Sequence, residues 1–220
     1  NYPVCQACYT LMRSQNPDTP VLNMKSDITI SPDMPAESVF ALVQSTLWEA
    51  VISGANGMAL SAGSDVFQYP EALEAYVTTA QDINRLAPIV EAFQRAAPEV
   101  GILFSEASKI MDDGGSHLES AQFAFEGATF AGYSLRFITE EQVIAGALNA
   151  LNVLIIPDTL AVSDAAFDLL SKFVENGGTV ARVGKPIPYN ERGISRSDVI
   201  RSTANTILVR GLNLPTEYLH

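Results

Sequence analysis

Basic residues are scarce in this chain of 220: 13 Lys and Arg stand against 25 Asp and Glu, a net charge of -12 at pH 7. A surface so short of positive charge has no basic face to neutralise phosphates, which makes nucleic acid and anionic membrane surfaces poor partners. Long apolar runs are missing too. No stretch reaches the roughly 18 to 20 residues of a spanning helix. The opening Asn1-Tyr2-Pro3-Val4 lacks the charged and apolar regions of a secretory signal, which leaves the localisation open. Cysteine and histidine occur twice each. Cys5 and Cys8 have C-x-x-C spacing, yet no strand precedes them and no second cysteine pair exists, so neither a redox pair nor a zinc site is expected. They read as small apolar residues on a helix over 3–14. Any Cys-His or Ser-His-Asp arrangement would have to use His117 or His220, and neither stands where a nucleophile elbow's partner belongs. No metal and no cofactor is expected.

What is present is apolar. Hydrophobic residues make up 47% and charged residues only 17%, enough to fill a core and too apolar for intrinsic disorder. After the first helix, Thr19–Asn23 reads as a short strand, and apolar residues from Val39 to Ile52 recur at helical spacing up to Gly54. Gly57–Ser61 reads as a second short strand. Pro70 opens a long helical pattern to about Ala97, with a kink expected at Pro88.

From Pro98 onward, short apolar runs alternate with helical segments at the spacing of βαβ units. Strands are predicted at 100–105, 133–138, 152–157, 179–183 and 206–209. Helices are predicted at 116–131, 140–150, from the Ser163 cap to Asn176, and at 195–205 with Ser195 as cap. The expected class is α/β: a flavodoxin-like open parallel sheet with helices on both faces.

Such sheets bind ligands at the carboxyl ends of their strands. Asp112-Asp113-Gly114-Gly115-Ser116 is glycine-rich and opens a helix, but its aspartates would repel a phosphate, and no dinucleotide or P-loop fingerprint occurs. Paired carboxylates suit glycoside hydrolysis, in which one protonates the leaving oxygen and the other attacks or activates water. Asp27, Asp33, Glu49, Asp65 and Glu106 lie near strand ends or on adjoining helices, and spacing alone selects no pair among them.

Several segments carry a family resemblance. Tyr9–Asn23 resembles the approach to the seventh barrel strand of β-galactosidases of glycoside hydrolase family 42. Leu47–Gly57, which contains Trp48, resembles the helix and glycine turn before the eighth strand, and Asp82–Ala87 the last barrel helix. Val100–Ser105, Leu154–Pro157 and Phe173–Val180 resemble strands and a strand entry of the family's trimerisation domain, which is similar in topology to class I glutamine amidotransferases. The resemblance implies two regions: 1–97, the last two βα units of a barrel, and 98–220, a flavodoxin-like association domain.

It also implies a homo-oligomer, a β-galactoside or related carbohydrate as substrate of the whole enzyme, and a substrate-binding role for Trp48. By the same pairing Lys25 occupies the position of the family's glutamate nucleophile, and a lysine cannot form the glycosyl ester. Asp27 stands two residues on. The acid/base glutamate belongs to the fourth barrel strand, and this chain is expected to begin just before the seventh. The expectation is a part of a larger glycosidase, not catalytic alone. The alternatives are an active hydrolase whose unusual site, drawn from Asp27, Glu49, Asp65 and Glu106, lies at a subunit boundary, and a pure interaction module.

Overall fold

The computed structural model describes residues 2–23, 28–59, 64–184 and 186–200, with side chains from residue 6 onward. Two compact units divide between Ala96 and Ala97.

The first unit runs α1 (Tyr2–Gln15), β1 (Leu22–Asn23), α2 (Ala36–Ile52), β2 (Gly57–Met58), a 3-10 turn (Asp65–Phe67), α3 (Pro70–Arg85) and α4 (Ala87–Gln94). Helix α2 buries Val39, Val43, Leu47 and Ala50, which recur at three and four residues and so share one face. Against that stripe pack Ile28, Ile30, Val66, Ala72 and Ala75. Two prolines set the boundaries of the last helices. Pro70 and Pro88 stand in first turns, where a missing N–H costs no intrahelical bond, and the expected kink is a break at Leu86. Strands β1 and β2 pair in parallel, Leu22 with Gly57 and Asn23 with Met58. Among the described residues no third strand joins them. A lone parallel pair is too small to stand by itself in water, because parallel sheets need several strands covered on both faces.

The second unit runs β3 (Val100–Phe104), α5 (Glu106–Met111), α6 (Ser116–Phe130), β4 (Leu135–Thr139), α7 (Glu140–Ile144), a 3-10 turn (Ala147–Ala150), β5 (Val153–Ile156), α8 (Asp164–Glu175) and β6 (Thr179–Arg182). All four strands are parallel, in the order β4-β3-β5-β6. This is the 2-1-3-4 run with which the doubly wound 2-1-3-4-5 order begins. Helices cover both faces. Leu103, Ile138, Leu154 and Val180 pack with Val143 of α7 and Ala166, Phe167 and Leu170 of α8. Their strand neighbours Phe104 and Phe137 point the other way, where Phe137 stacks on Phe125 of α6 with ring centroids 5.8 Å apart.

Glycine is required within the central strand. A Cβ on Gly101 would stand 2.6 Å from Leu151 Cδ1, 3.1 Å from Leu154 Cδ1 and 3.2 Å from Ile138 Cγ1. Gly101→Ala should therefore overpack this face and cost about 1 to 2 kcal/mol in a urea titration followed by circular dichroism. A neutral or stabilising result would mean that Leu151 swings aside freely.

Three expectations change. Helix α5 stands where a loop is expected. It has only six residues, and its start is fixed by the Ser105 Oγ, which accepts the Ser108 N–H. The helix expected over 140–150 divides into α7 and the 3-10 turn, because Gly146 adopts φ +91 between them. Residues 195–200 are not helical. The Asn190 Oδ1 accepts the N–H groups of Arg192 and Ile194 instead, and Ser195 bridges back to Tyr189. The strand expected at 206–209 lies outside the described residues.

Candidate functional site

In a sheet of this order the crevice for ligands opens where the strand order reverses, outside the carboxyl ends of β3 and β5. Here the protein's own side chains occupy that place. His117, in the first turn of α6, is fully buried against Phe104, its ring centroid 5.9 Å away. Its Nε2 accepts the Ser105 N–H at 3.1 Å, beyond the end of β3. Its Nδ1 lies 3.2 Å from the Asp158 carbonyl oxygen, beyond the end of β5. One ring nitrogen must accept and the other must donate, so these partners assign the neutral Nδ1–H tautomer. Burial holds the imidazole below its ordinary pKa, against the opposing pull of the Asp158 carbonyl and the carboxylates of Asp112, Asp158 and Glu140.

Hydroxyls fill the space beside it. Ser105, Ser108 and Thr159 are fully buried, as is Ala161. The Ser105 Oγ lies 2.7 Å from both Glu140 Oε1 and the Ala161 carbonyl oxygen, and having one proton it donates to one of them at a time. The Ser108 Oγ donates to the same carbonyl at 2.7 Å and accepts the Ala161 N–H at 2.9 Å. The other oxygen of Glu140 accepts the Ser163 N–H at 2.6 Å, at the cap of α8. Thus β3, α5, α7 and the loop 157–163 are laced together at the switch point by these bonds.

The glycine-rich loop is explained by the same arrangement. Asp112 Oδ2 accepts the His117 N–H at 2.7 Å and the Ser116 hydroxyl at 2.9 Å, while Oδ1 accepts the Gly114 N–H at 3.2 Å. The His117 N–H leads in lowering the Asp112 pKa. The start of α6 is therefore served by a carboxylate of the chain and offers no phosphate cradle.

The carboxylates singled out in the sequence stand on different elements. Lys25 and Asp27 lie outside the described residues. Asp65 opens the 3-10 turn, where Oδ2 accepts the Ile30 N–H at 3.2 Å and Oδ1 the Gln68 Nε2 at 3.3 Å. Both of its oxygens clasp the first unit's own chain. Glu49 and Trp48 are half-buried within α2. Asp33 is exposed in a turn. Glu106 is in the other unit, in the first turn of α5, and makes a surface pair with Lys109 at 3.3 Å. Such exposed pairs contribute about 0 to 1 kcal/mol of stability. Among the described residues no group of three His, Cys, Asp or Glu is placed to hold a metal ion, and no helix is long and apolar enough to cross a membrane.

The residues that do converge, Ser105, Ser108, His117, Glu140 and Ala161, were not singled out as a group from the sequence. The available signal was Ser105 directly after an apolar strand, at the point where doubly wound sheets place function.

No family model matches the sequence, and no curated protein resembles it significantly. Solved structures do match. The apo exo-carrageenase of family GH42 from Bacteroides ovatus superposes with a TM-score of 0.72 at 18% identity, over 88% of this chain and 28% of its own. The β-galactosidase of Bacillus circulans sp. alkalophilus gives 0.66 at 15%, over 89% and 32%. That of the Antarctic haloarchaeon Halorubrum lacusprofundi gives 0.62 at 12%, over 90% and 32%. The chain has the fold of part of a family 42 glycoside hydrolase. It spans about a third or less of the length of these neighbours, and a match over nearly nine-tenths of the chain extends into both units.

Proposed function

We propose that this chain is a portion of a β-galactosidase-like glycoside hydrolase that supports subunit association and completes the end of the barrel, and that it does not hydrolyse glycosides alone. Residues 1–97 then supply the last two βα units and 98–220 the association domain. The observation that carries the reading is the filled crevice. The place where a sheet of this order ordinarily hosts chemistry is bridged by His117, Ser105 and Ser108, which supports a structural and associative contribution from this unit.

Three further features support it. The parallel pair β1–β2 requires neighbouring strands, as the end of a barrel would have. Phe123 and Phe130, seven residues apart on one side of α6, expose 49% and 77% of their surface, and Tyr133 just beyond the helix exposes 53%. Apolar groups so placed suit a subunit contact. Glycosidic cleavage needs two carboxyl groups about 5 to 9 Å apart. Asp65 is committed to Ile30 and Gln68, and Glu106 pairs with Lys109 at the surface.

The test combines activity with mass. Purified chain incubated with a chromogenic β-galactoside should show no turnover above background, and light scattering should return a multiple of 23.6 kDa. Turnover abolished by Asp27→Asn or Glu49→Gln would overturn the non-catalytic reading and locate a carboxylate site. A monomer at all concentrations would overturn the association reading.

A further inference from the structure

We propose that His117 is an acid-sensitive lock on the carboxyl edge of the second unit's sheet, which holds the crevice between β3 and β5 shut while the ring is neutral and releases it when the ring takes a proton. This inference uses the same bridged crevice as the proposed function, but its test reads amide exchange and not activity or mass. It rests on the ring's two backbone partners, which are fixed in opposite senses: the Ser105 N–H can only donate and the Asp158 carbonyl can only accept, with the Thr159 hydroxyl 3.5 Å from the same Nδ1. A proton on Nε2 would confront the Ser105 N–H with a second N–H. The closed arrangement would then lose the Ser105 bond to the ring and hold a charge at a site with no solvent exposure.

Release would act on both strands of the switch point together. His117 links the residue after β3 to the residue two beyond β5, and Ser105 shares its hydroxyl with Ser108, Glu140 and Ala161. Opening therefore uncovers two serine hydroxyls and one carboxylate at a single edge of the sheet. The ionisable groups facing the ring are carboxylates: Asp112 ahead of α6, Asp158 after β5 and Glu140 on α7. They favour the proton, but burial exceeds them. Glu106 and Lys109 of α5 pair with each other at the surface.

The sign follows by linkage. The closed state holds the ring neutral below its usual range, whereas an open state titrates near the ordinary value of about 6.5. The lock is at full strength above that value and weakens as pH falls through it. Protection factors for amide hydrogen exchange at Ser105, Ser108 and Ala161 should fall together, about tenfold for each pH unit below about 6.5, until the closed ring itself titrates. Ring nitrogen shifts measured on the same intact chain should show the Nδ1–H tautomer persisting through that range. Only His220 must be distinguished, and His220→Gln should leave the slope unchanged.

His117→Gln supplies an amide oxygen and an amide N–H in place of the two ring nitrogens and has no proton to gain. In that variant the protection should be flat over the same pH range. If the variant does not fold, the wild-type slope and tautomer decide alone. A His117 that titrates near 6.5 with no loss of protection would overturn the proposal, as would a wild-type slope that the Gln variant shares.

Discussion

Leu154→Ala should destabilise the second unit by about 3 to 5 kcal/mol, the upper part of the range for buried leucines. Leu154 is fully buried on β5, between Gly101 of β3 and Val180 of β6, so ladder bonds on both sides fix the backbone around it. A cavity there cannot close by strand movement. Nor can the neighbour across the ladder fill it, because that neighbour is Gly101, which has no side chain. Leu170 and Phe167 of α8 lie over the same cluster and would lose their contacts with the deleted atoms. Urea titration followed by circular dichroism, with amide exchange of β3 and β5 to assign the transition, measures the effect. Val199→Ala, at a side chain 51% exposed, serves as the control and should stay within about 0.5 kcal/mol. A loss below about 1 kcal/mol at Leu154 would mean that the two helices settle into the gap, and that the face is less tightly packed than its burial implies.

The contrast between units explains what could be read from the chain. The strands of the second unit were legible because they are short and apolar: β3 is buried at all five positions, so no alternation competes with the reading. Helix α2 was legible for the opposite reason, since its periodic stripe and the glycine after it mark one face and one end. The filled crevice was not legible. Ser105 reaches Ala161 across 56 positions and Ser108 reaches it across 53, and each bond joins a side chain to a backbone group that carries no residue signature. Asp65 shows the same limit. As a sequence symbol it is one more carboxylate beside a predicted strand, and only the fold brings it to the Ile30 N–H 35 positions earlier. The helix expected from Ser195 does not form over 195–200, because a serine followed by polar residues suits a cap equally well in a turn, and here the Asn190 side chain captures the chain first.

Removing one hydroxyl from the crevice should show how far these bonds depend on one another. Ser108→Ala should cost about 2 to 3 kcal/mol, far more than its small loss of volume, because it leaves the buried Ala161 N–H without an acceptor. The Ala161 carbonyl fares differently, since the Ser105 Oγ is also 2.7 Å from it. In the variant the single Ser105 proton is drawn to that carbonyl and away from Glu140, which keeps the Ser163 N–H. The cost is thereby shared between two sites, and it should change when Ser105 is altered as well. In a double-mutant cycle with Ser105→Ala, the paired loss should differ from the sum of the single losses by about 1 kcal/mol or more, as expected for residues in one hydrogen-bond network. The pair should exceed the sum, because the Ser105 proton that serves the Ala161 carbonyl in the Ser108 variant is gone from the double variant. Additive losses would instead mean that Ser105 gives its proton to Glu140 throughout, so that only Ser108 serves Ala161.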